Sequence, residues 1–157
     1  MGDYIKDIRK LIGNMEVQMI GVCALIINEK NEVLLIERTD NDRWSLPGGG
    51  LELREKVISG LKREVFEETG IEILDFELIG IVSGEDGLLI YPNKDVVCYT
   101  SLVFLVKKYQ NEILIHSSEA KSIKFFNKNN IPKSILGPVE EKMINKWIDD
   151  DLHLEID

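Results

Sequence analysis

Only two cysteines occur in the 157 residues, Cys23 and Cys98, and each sits inside an apolar, strand-like run. No CxxC pair and no Cys/His cluster accompanies them, which excludes a disulfide framework and a zinc site of the usual spacing. Both are expected as reduced core residues. Histidine is equally scarce: His116 and His153 stand alone, and no chemistry is assigned to them. Apolar residues never run to the roughly 20 that a membrane span needs. The start, MGDYIKDIRK, lacks the apolar centre of a secretion signal. Lys6 stands where a myristoylation signal after Gly2 wants Ser or Thr. A cytoplasmic location is therefore expected. Positive charge is short as well, with 19 Lys and Arg against 28 Asp and Glu and a net charge of −9. That argues against nucleic acid polymers and anionic membranes as electrostatic partners. A small phosphorylated ligand stays open where a divalent cation mediates.

What is present suffices for one core, since 44% of the residues are apolar in a chain of about single-domain length. No repeat or linker interrupts it, so residues 1–157 are expected to form a single α/β (α+β) domain. Asp3 is placed to cap a short amphipathic helix over residues 3–13, with Ile5, Ile8, Leu11 and Ile12 on one side and Gly13-Asn14 as its stop. Met19–Asn28 and Val33–Glu37 read as hairpin partners around the polar turn NEKNE. A helix is expected from about Leu53 to Thr69, ended by Gly70. Ile71–Val82 holds one or two strands, and SGEDG and YPNKD punctuate a loop region. Val96–Lys107 is the longest strand candidate and is expected to be central; Ile113–Ile115 and Ile123–Phe126 are shorter ones. Pro138 opens a last helix, residues 138–150, with Val139, Met143, Trp147 and partly Ile144 and Ile148 facing the core. The acidic tail DDDLHLEID is expected to fray.

The segment LPGGGLELREKVISGLKREVFEETGIEI crowds six glutamates between a glycine triplet and a lone glycine. At roughly 100° per residue, Glu64, Glu67 and Glu68 leave the helix within one sector, beside the sector of Val57, Ile58, Leu61 and Val65. Carboxylates at this spacing destabilise a helix by about a few tenths of a kcal/mol. They also lie near its C-terminal end, where the dipole disfavours negative charge. Both penalties invert when a hard cation binds. Mg²⁺ takes oxygen ligands and keeps open positions that phosphate oxygens can fill. The facing glycines let the backbone approach closely, and a bare carbonyl there completes a metal shell. Taken alone, three such glutamates read most simply as a solvated helix face.

The full spacing changes that. Gly49, five residues, Glu55, seven residues, Arg63-Glu64, an aliphatic, one residue, Glu67-Glu68, one residue, Gly70 and an aliphatic Ile71 reproduce the Nudix box over residues 49–71. Seven fixed identities at usages of roughly 7% each coincide by chance about once in 10⁸ starts. The chain resembles the Nudix (MutT-like) hydrolases. YIKDIRKLIG, ERTDNDRWSLPGG and YPNKD extend the resemblance to an ADP-ribose-pyrophosphatase-like bacterial subgroup, over most of residues 3–132. The resemblance implies an α/β/α sandwich with a mixed central sheet and a loop-helix-loop. It also implies hydrolysis of a nucleoside diphosphate linked to another moiety, using Mg²⁺ or Mn²⁺.

Residue by residue, the resemblance makes Glu64, Glu67 and Glu68 metal-binding glutamates and Gly48 the donor of a carbonyl. Glu55 and Arg63 match the pair that orients the helix and its carboxylates. The proton of the attacking water goes to the glutamate matching Glu64 in some members and to a glutamate on a later loop in others. Glu119, in HSSEAKSIKFF, is the candidate for the second kind, with Glu85, Asp86 and Asp95 as competitors. Arg38 and Arg43 are candidate phosphate or ribose contacts, or else surface arginines balancing Glu37, Asp40 and Asp42. Trp44 either stacks a base or packs the glycine loop, and Tyr91 is a further substrate candidate. Departures from the subgroup are Arg54 and Lys56 where glycine and serine are common, and Lys94 for a usual glycine. Gly60 replaces a usual alanine, which weakens the helix by roughly 1 kcal/mol. Substrate choice stays open between ADP-ribose-type nucleotides and nucleoside triphosphates. The intact box argues against a catalytically silent Nudix domain that senses a nucleotide, and the acidity against an RNA-end pyrophosphohydrolase. A homodimer is expected from the habits of the family.

Overall fold

The computed structural model describes residues 3–115 and 118–157, the side chain of Asp3 excepted. The Asp3 cap and His116 therefore lie outside the described residues. In chain order the elements are α1 (Asp3–Ile12), β1 (Val17–Ile26), β2 (Val33–Arg38), β3 (Trp44–Ser45), β4 (Gly48–Gly50), α2 (Val57–Thr69), β5 (Glu72–Val82), a 3-10 turn (Gly84–Gly87), β6 (Leu88–Ile90), β7 (Val96–Gln110), β8 (Ala120–Phe126), α3 (Pro138–Ile148) and β9 (Glu155–Ile156). Strands β4-β1-β7-β5-β9 form one sheet, with β6 also on β7, and β3-β2-β8 form a second. The larger sheet is mixed: β1 runs parallel to β7 and β9 parallel to β5, whereas β4, β5 and β6 pair antiparallel.

Alternation along β1 divides the interior in two. Val22, Ala24 and Ile26 meet Leu61 and Val65 of α2, together with Ile71, Phe104 and Val106. Cys23 and Leu25 point the other way, into a cluster with Leu35, Val103 and the α3 residues Met143, Ile144 and Trp147. Each large side chain so buried contributes about 1.5–3 kcal/mol. The result is a helix on either side of packed strands, an α/β/α arrangement of mixed α+β type.

Several expectations are corrected. β1 and β2 pair only at the turn, through an Ile27–Val33 bridge, and then enter different sheets, meeting further along through side chains alone. Both faces of β1 are buried, so β7 and β4 take its edges. α2 begins at Val57, after Arg54 in left-handed backbone (φ 65°). Ile58, in its first turn, is 39% exposed, whereas Val57, Leu61 and Val65 make the core contacts of α2. Residues 113–115 form no strand; the Leu114 amide donates instead to the carbonyl of Thr69 at the end of α2. The loop expected between β5 and β7 contains the 3-10 turn and β6, which pairs with β7. Cys98 is half-buried, its thiol donating to the Gly84 carbonyl, whereas Cys23 is in the core. The acidic tail does not fray. Glu155 is held by Lys142 and Lys146, Asp157 accepts from Ser83, and β9 lies along Gly80 and Ile81 of β5. No described helix is long and apolar enough to cross a membrane.

Candidate active site

The glycine strand and α2 form the floor of the site. Gly48 runs at φ 154° against β1, where an added Cβ would lie 2.2 Å from the Val22 carbonyl oxygen. Only glycine fits there. An added Cβ on Gly49 would meet the Glu64 carboxylate at 2.7 Å. At the far end, Gly70 stops α2 in left-handed backbone (φ 74°), its amide donating to the Phe66 carbonyl. Gly60 lets α2 approach the loop before it: an added Cβ would lie 2.2 Å from Leu51 Cδ2. The glycine that weakens the helix thus permits this close packing, although an added carbon would meet only side-chain ends, which can shift.

Arg63 organises the carboxylates. It donates from Nε and Nη2 to the two oxygens of Glu55, at 2.8 and 2.7 Å, and from Nη1 to Glu64 at 2.8 Å and Glu67 at 3.2 Å. Glu55 also accepts from the Glu52 amide at 2.9 Å, which closes the loop before α2. The Arg63 hydrogen bonds hold the Glu55 carboxyl below its ordinary value. Burial raises Glu64, against the pull of Arg63. Glu68 is 4% exposed and accepts from the Gly48 amide at 2.8 Å. Burial pushes its carboxyl up to about 8, and the negative charges of Glu64 and Glu119 add to that.

Glu64 and Glu68 line a cleft of about 260 Å³ with Gly48–Gly50, Arg38, Tyr91 and Glu119. Arg38 reaches it through a bulge in the β2–β8 pairing between Glu37 and Arg38. Its guanidinium is forked onto Asp40, at 2.9 and 3.0 Å. Glu119 arrives on the turn before β8, where its carbonyl accepts from the Thr39 amide at 2.9 Å. The Tyr91 hydroxyl lies 3.0 Å from that of Tyr99, and desolvation raises both phenols.

Other candidates fall elsewhere. Glu67 sits at the outer edge with its side chain 56% exposed, outside the cleft lining. Arg43 is exposed and donates to the Leu136 carbonyl at 3.0 Å. Trp44 is 9% exposed and packs edge-on against Phe126 at 4.8 Å, so it serves the core rather than the cleft. Asp95 is buried beside Arg9, and Glu85 and Asp86 lie exposed on the 3-10 turn. A second pocket of about 90 Å³ shares Arg38, Gly48 and Tyr91 with the cleft and ends at Ser45 and Glu140. Ser45 is 2% exposed, and its hydroxyl has no partner among the described residues. Burial raises Glu140 to about 7. Sequence reasoning missed both. Glu140 was visible only as an acidic residue in the first turn of α3, and nothing marked Ser45.

Among the described residues, no three His, Cys, Asp or Glu side chains converge closely enough to hold a metal as they stand. Glu64 and Glu67 are drawn onto Arg63, and Glu68 onto Gly48. The donors nevertheless fit a hard divalent cation. They are oxygen ligands, and the buried Glu68 carboxyl is held high by desolvation that a cation would reverse.

The NUDIX domain model matches residues 17–147. The chain belongs to the Nudix family. An ADP-ribose pyrophosphatase of Methanocaldococcus jannaschii is 34% identical over 126 residues, covering 78% of this chain and 69% of that protein. A MutT-like protein of Streptomyces ambofaciens is 45% identical over 62 residues, 40% of each chain, so this Nudix chain spans well under two thirds of that relative. The crystal structure of a MutT protein from Methanosarcina mazei superimposes with a TM-score of 0.67 at 27% identity, covering 87% of this chain and 96% of that one.

Proposed function

We propose that the protein is a Nudix pyrophosphohydrolase that cleaves a nucleoside diphosphate linked to a second group. The observation carrying this reading is the pair Glu64 and Glu68, which line one cleft with the Gly48–Gly50 backbone and the cation Arg38. An acidic chain binds a diphosphate only where its charge is neutralised. Glu64, Glu67 and Glu68, with the Gly48 carbonyl, would hold a Mg²⁺ or Mn²⁺ ion that supplies this neutralisation and activates water. Arg38, which lines the same cleft, would steady phosphate oxygens. Glu55 and Arg63 hold the carboxylates in place. Glu64, raised by burial, and Glu119, on the turn before β8, both line the cleft and are the two candidates for taking the proton of the attacking water. The likeness to the ADP-ribose pyrophosphatase of Methanocaldococcus jannaschii, matched over 78% of this chain, favours ADP-ribose-type substrates over nucleoside triphosphates.

A panel of ADP-ribose, other nucleotide sugars, nucleoside triphosphates and 5′-triphosphorylated RNA tests the reading, with Mg²⁺ or Mn²⁺ and identification of products. ADP-ribose is expected to give AMP and ribose 5-phosphate, and Glu68→Gln or Glu67→Gln to remove most turnover. Binding of ADP-ribose without turnover of any panel member would point to a sensor. Full activity after both substitutions would sink the metal assignment.

A further inference from the structure

Helix α1 precedes the stretch that matches the NUDIX model, residues 17–147, yet it contributes Tyr4 and Ile5 to the cleft of Glu64 and Glu68. Ile5 is 2% exposed and lines the cleft with Met19. Tyr4 is 44% exposed, so an aromatic ring stands at the mouth of an acidic cleft with much of its surface in water.

The helix is fastened by Arg9. Its Nη1 donates to the carbonyls of Gly13 and Met15, and its Nη2 to the carbonyl of Val96 at 2.9 Å. Its Nε lies 3.4 Å from Asp95 Oδ1, and both side chains are only 10% exposed. Asn14 adds a bond to the Asn93 carbonyl at 3.3 Å. The contacts with Val96, Asp95 and Asn93 fall on or beside the turn Tyr91–Asp95. That turn is closed by the Lys94 amide on the Tyr91 carbonyl at 2.8 Å and the Tyr91 amide on the Asp95 carbonyl at 2.9 Å. The same turn presents Tyr91 to the cleft. One guanidinium therefore ties together the two elements that bring Tyr4 and Tyr91 to the site. Such desolvated charge is costly to bury, and core packing does not account for it, because Ile5 is the one buried residue described in α1.

We propose that α1 is part of the substrate site: Tyr4 stacks on the nucleobase of the substrate, and Arg9 is the positioning residue that sets the helix against the Tyr91 turn. The proposal rests on reading the cleft as a nucleoside diphosphate site. An exposed phenol ring beside Ile5 and Met19 offers a flat apolar face, which suits a base and not a phosphate.

The test uses the full chain, with the panel nucleotide turned over fastest, its nucleoside monophosphate and ribose 5-phosphate. Tyr4→Ala is expected to raise KM and the calorimetric Kd of the monophosphate roughly tenfold, the low end of base–aromatic stacking. Its effect on kcat is expected to be much smaller, and binding of ribose 5-phosphate should hold. Tyr4→Phe should restore the affinity, because the ring and not the hydroxyl is used. Arg9→Ala should reproduce the loss, with little added in the double variant. Unchanged monophosphate binding in Tyr4→Ala would overturn the proposal, and so would equal weakening of the monophosphate and ribose 5-phosphate. Tyr4 is exposed, so its variants test the idea even where Arg9→Ala fails to fold. Binding of the monophosphate is read without turnover, which separates failure at Tyr4 from failure of the hydrolase reading.

Discussion

Arg63 clasps Glu55 through two near-parallel hydrogen bonds, Nε to Oε1 at 2.8 Å and Nη2 to Oε2 at 2.7 Å, while its Nη1 holds Glu64 at 2.8 Å. A single side chain thus joins the loop before α2 to a carboxylate of the cleft. Arg63→Lys keeps the charge but cannot form the fork. Loss of those bonds should cost about 2 kcal/mol of stability, and misplacement of Glu64 should lower kcat by about tenfold to a hundredfold. Melting curves and steady-state kinetics check both. Because Glu55 is held below its ordinary value, its contribution is present above the unfolded value and is lost as pH falls through the depressed folded one. Wild type and Glu55→Gln should therefore differ most at neutral pH and converge in acid.

Neighbouring glycines should behave differently when changed to alanine. At Gly48 the added carbon would lie 2.2 Å from a backbone oxygen of β1, in a conformation that side chains rarely adopt. Backbone cannot yield cheaply, so Gly48→Ala should destabilise the fold outright. At Gly49 the carbon would meet the carboxylate end of Glu64, at 2.7 Å. That flexible end can swing away. Gly49→Ala should keep most of the melting temperature while lowering kcat by about a hundredfold, since a shift of about 1 Å suffices for that. Equal losses of stability in the two variants would contradict the geometry.

Glu68 as a metal ligand should link protons to metal. With its folded value raised to about 8, the metal-free fold retains a proton that the unfolded chain releases near its ordinary value of 4.5. Stability of the metal-free protein from this group therefore falls as pH rises through that window. A bound cation displaces the proton, so stabilisation by Mg²⁺ should grow over the same range. Melting with and without Mg²⁺, below and above the window, measures the increment; one independent of pH would refute the linkage. Glu68→Gln should abolish the increment. Glu140, raised to about 7, acts in the same direction on the metal-free protein. Glu140→Gln should leave the Mg²⁺ increment in place.

The helix of the site was legible because its information is local. The period of Leu61 and Val65, the stop at Gly70 and the spacing of Glu55, Arg63 and the paired glutamates all lie within one short segment. Strand partners were not legible in the same way. β1 buries both faces, Cys23 and Leu25 toward one cluster and Val22 and Ala24 toward the other, so no alternation distinguishes a hairpin with β2 from a parallel pair with β7. Trp44 beside the glycines left stacking open although packing was favoured, and Phe126, far along the chain, decided for packing. Ser45 and Glu140 share a pocket only because β3 and the start of α3 are brought together, which no spacing encodes.

The acidic tail gives a prediction that separates stability from activity. Composition alone suggested fraying, but Lys142 and Lys146 of α3 hold Glu155 and push its carboxyl down to about 2. That contribution is present above the ordinary carboxylate range and fades as pH falls toward the depressed value. Being exposed, the pairs are worth little by themselves. The larger effect comes from β9, which covers Gly80 and Ile81 on the edge of β5. The cleft lies by β4, at the opposite edge of the same sheet. Removing residues 152–157 should lower the melting temperature by several degrees and promote association through the bared β5 edge. Values of kcat and KM for the monomeric fraction should stay at those of the intact chain. A matching fall in kcat would show that the tail edge and the cleft are coupled through β7.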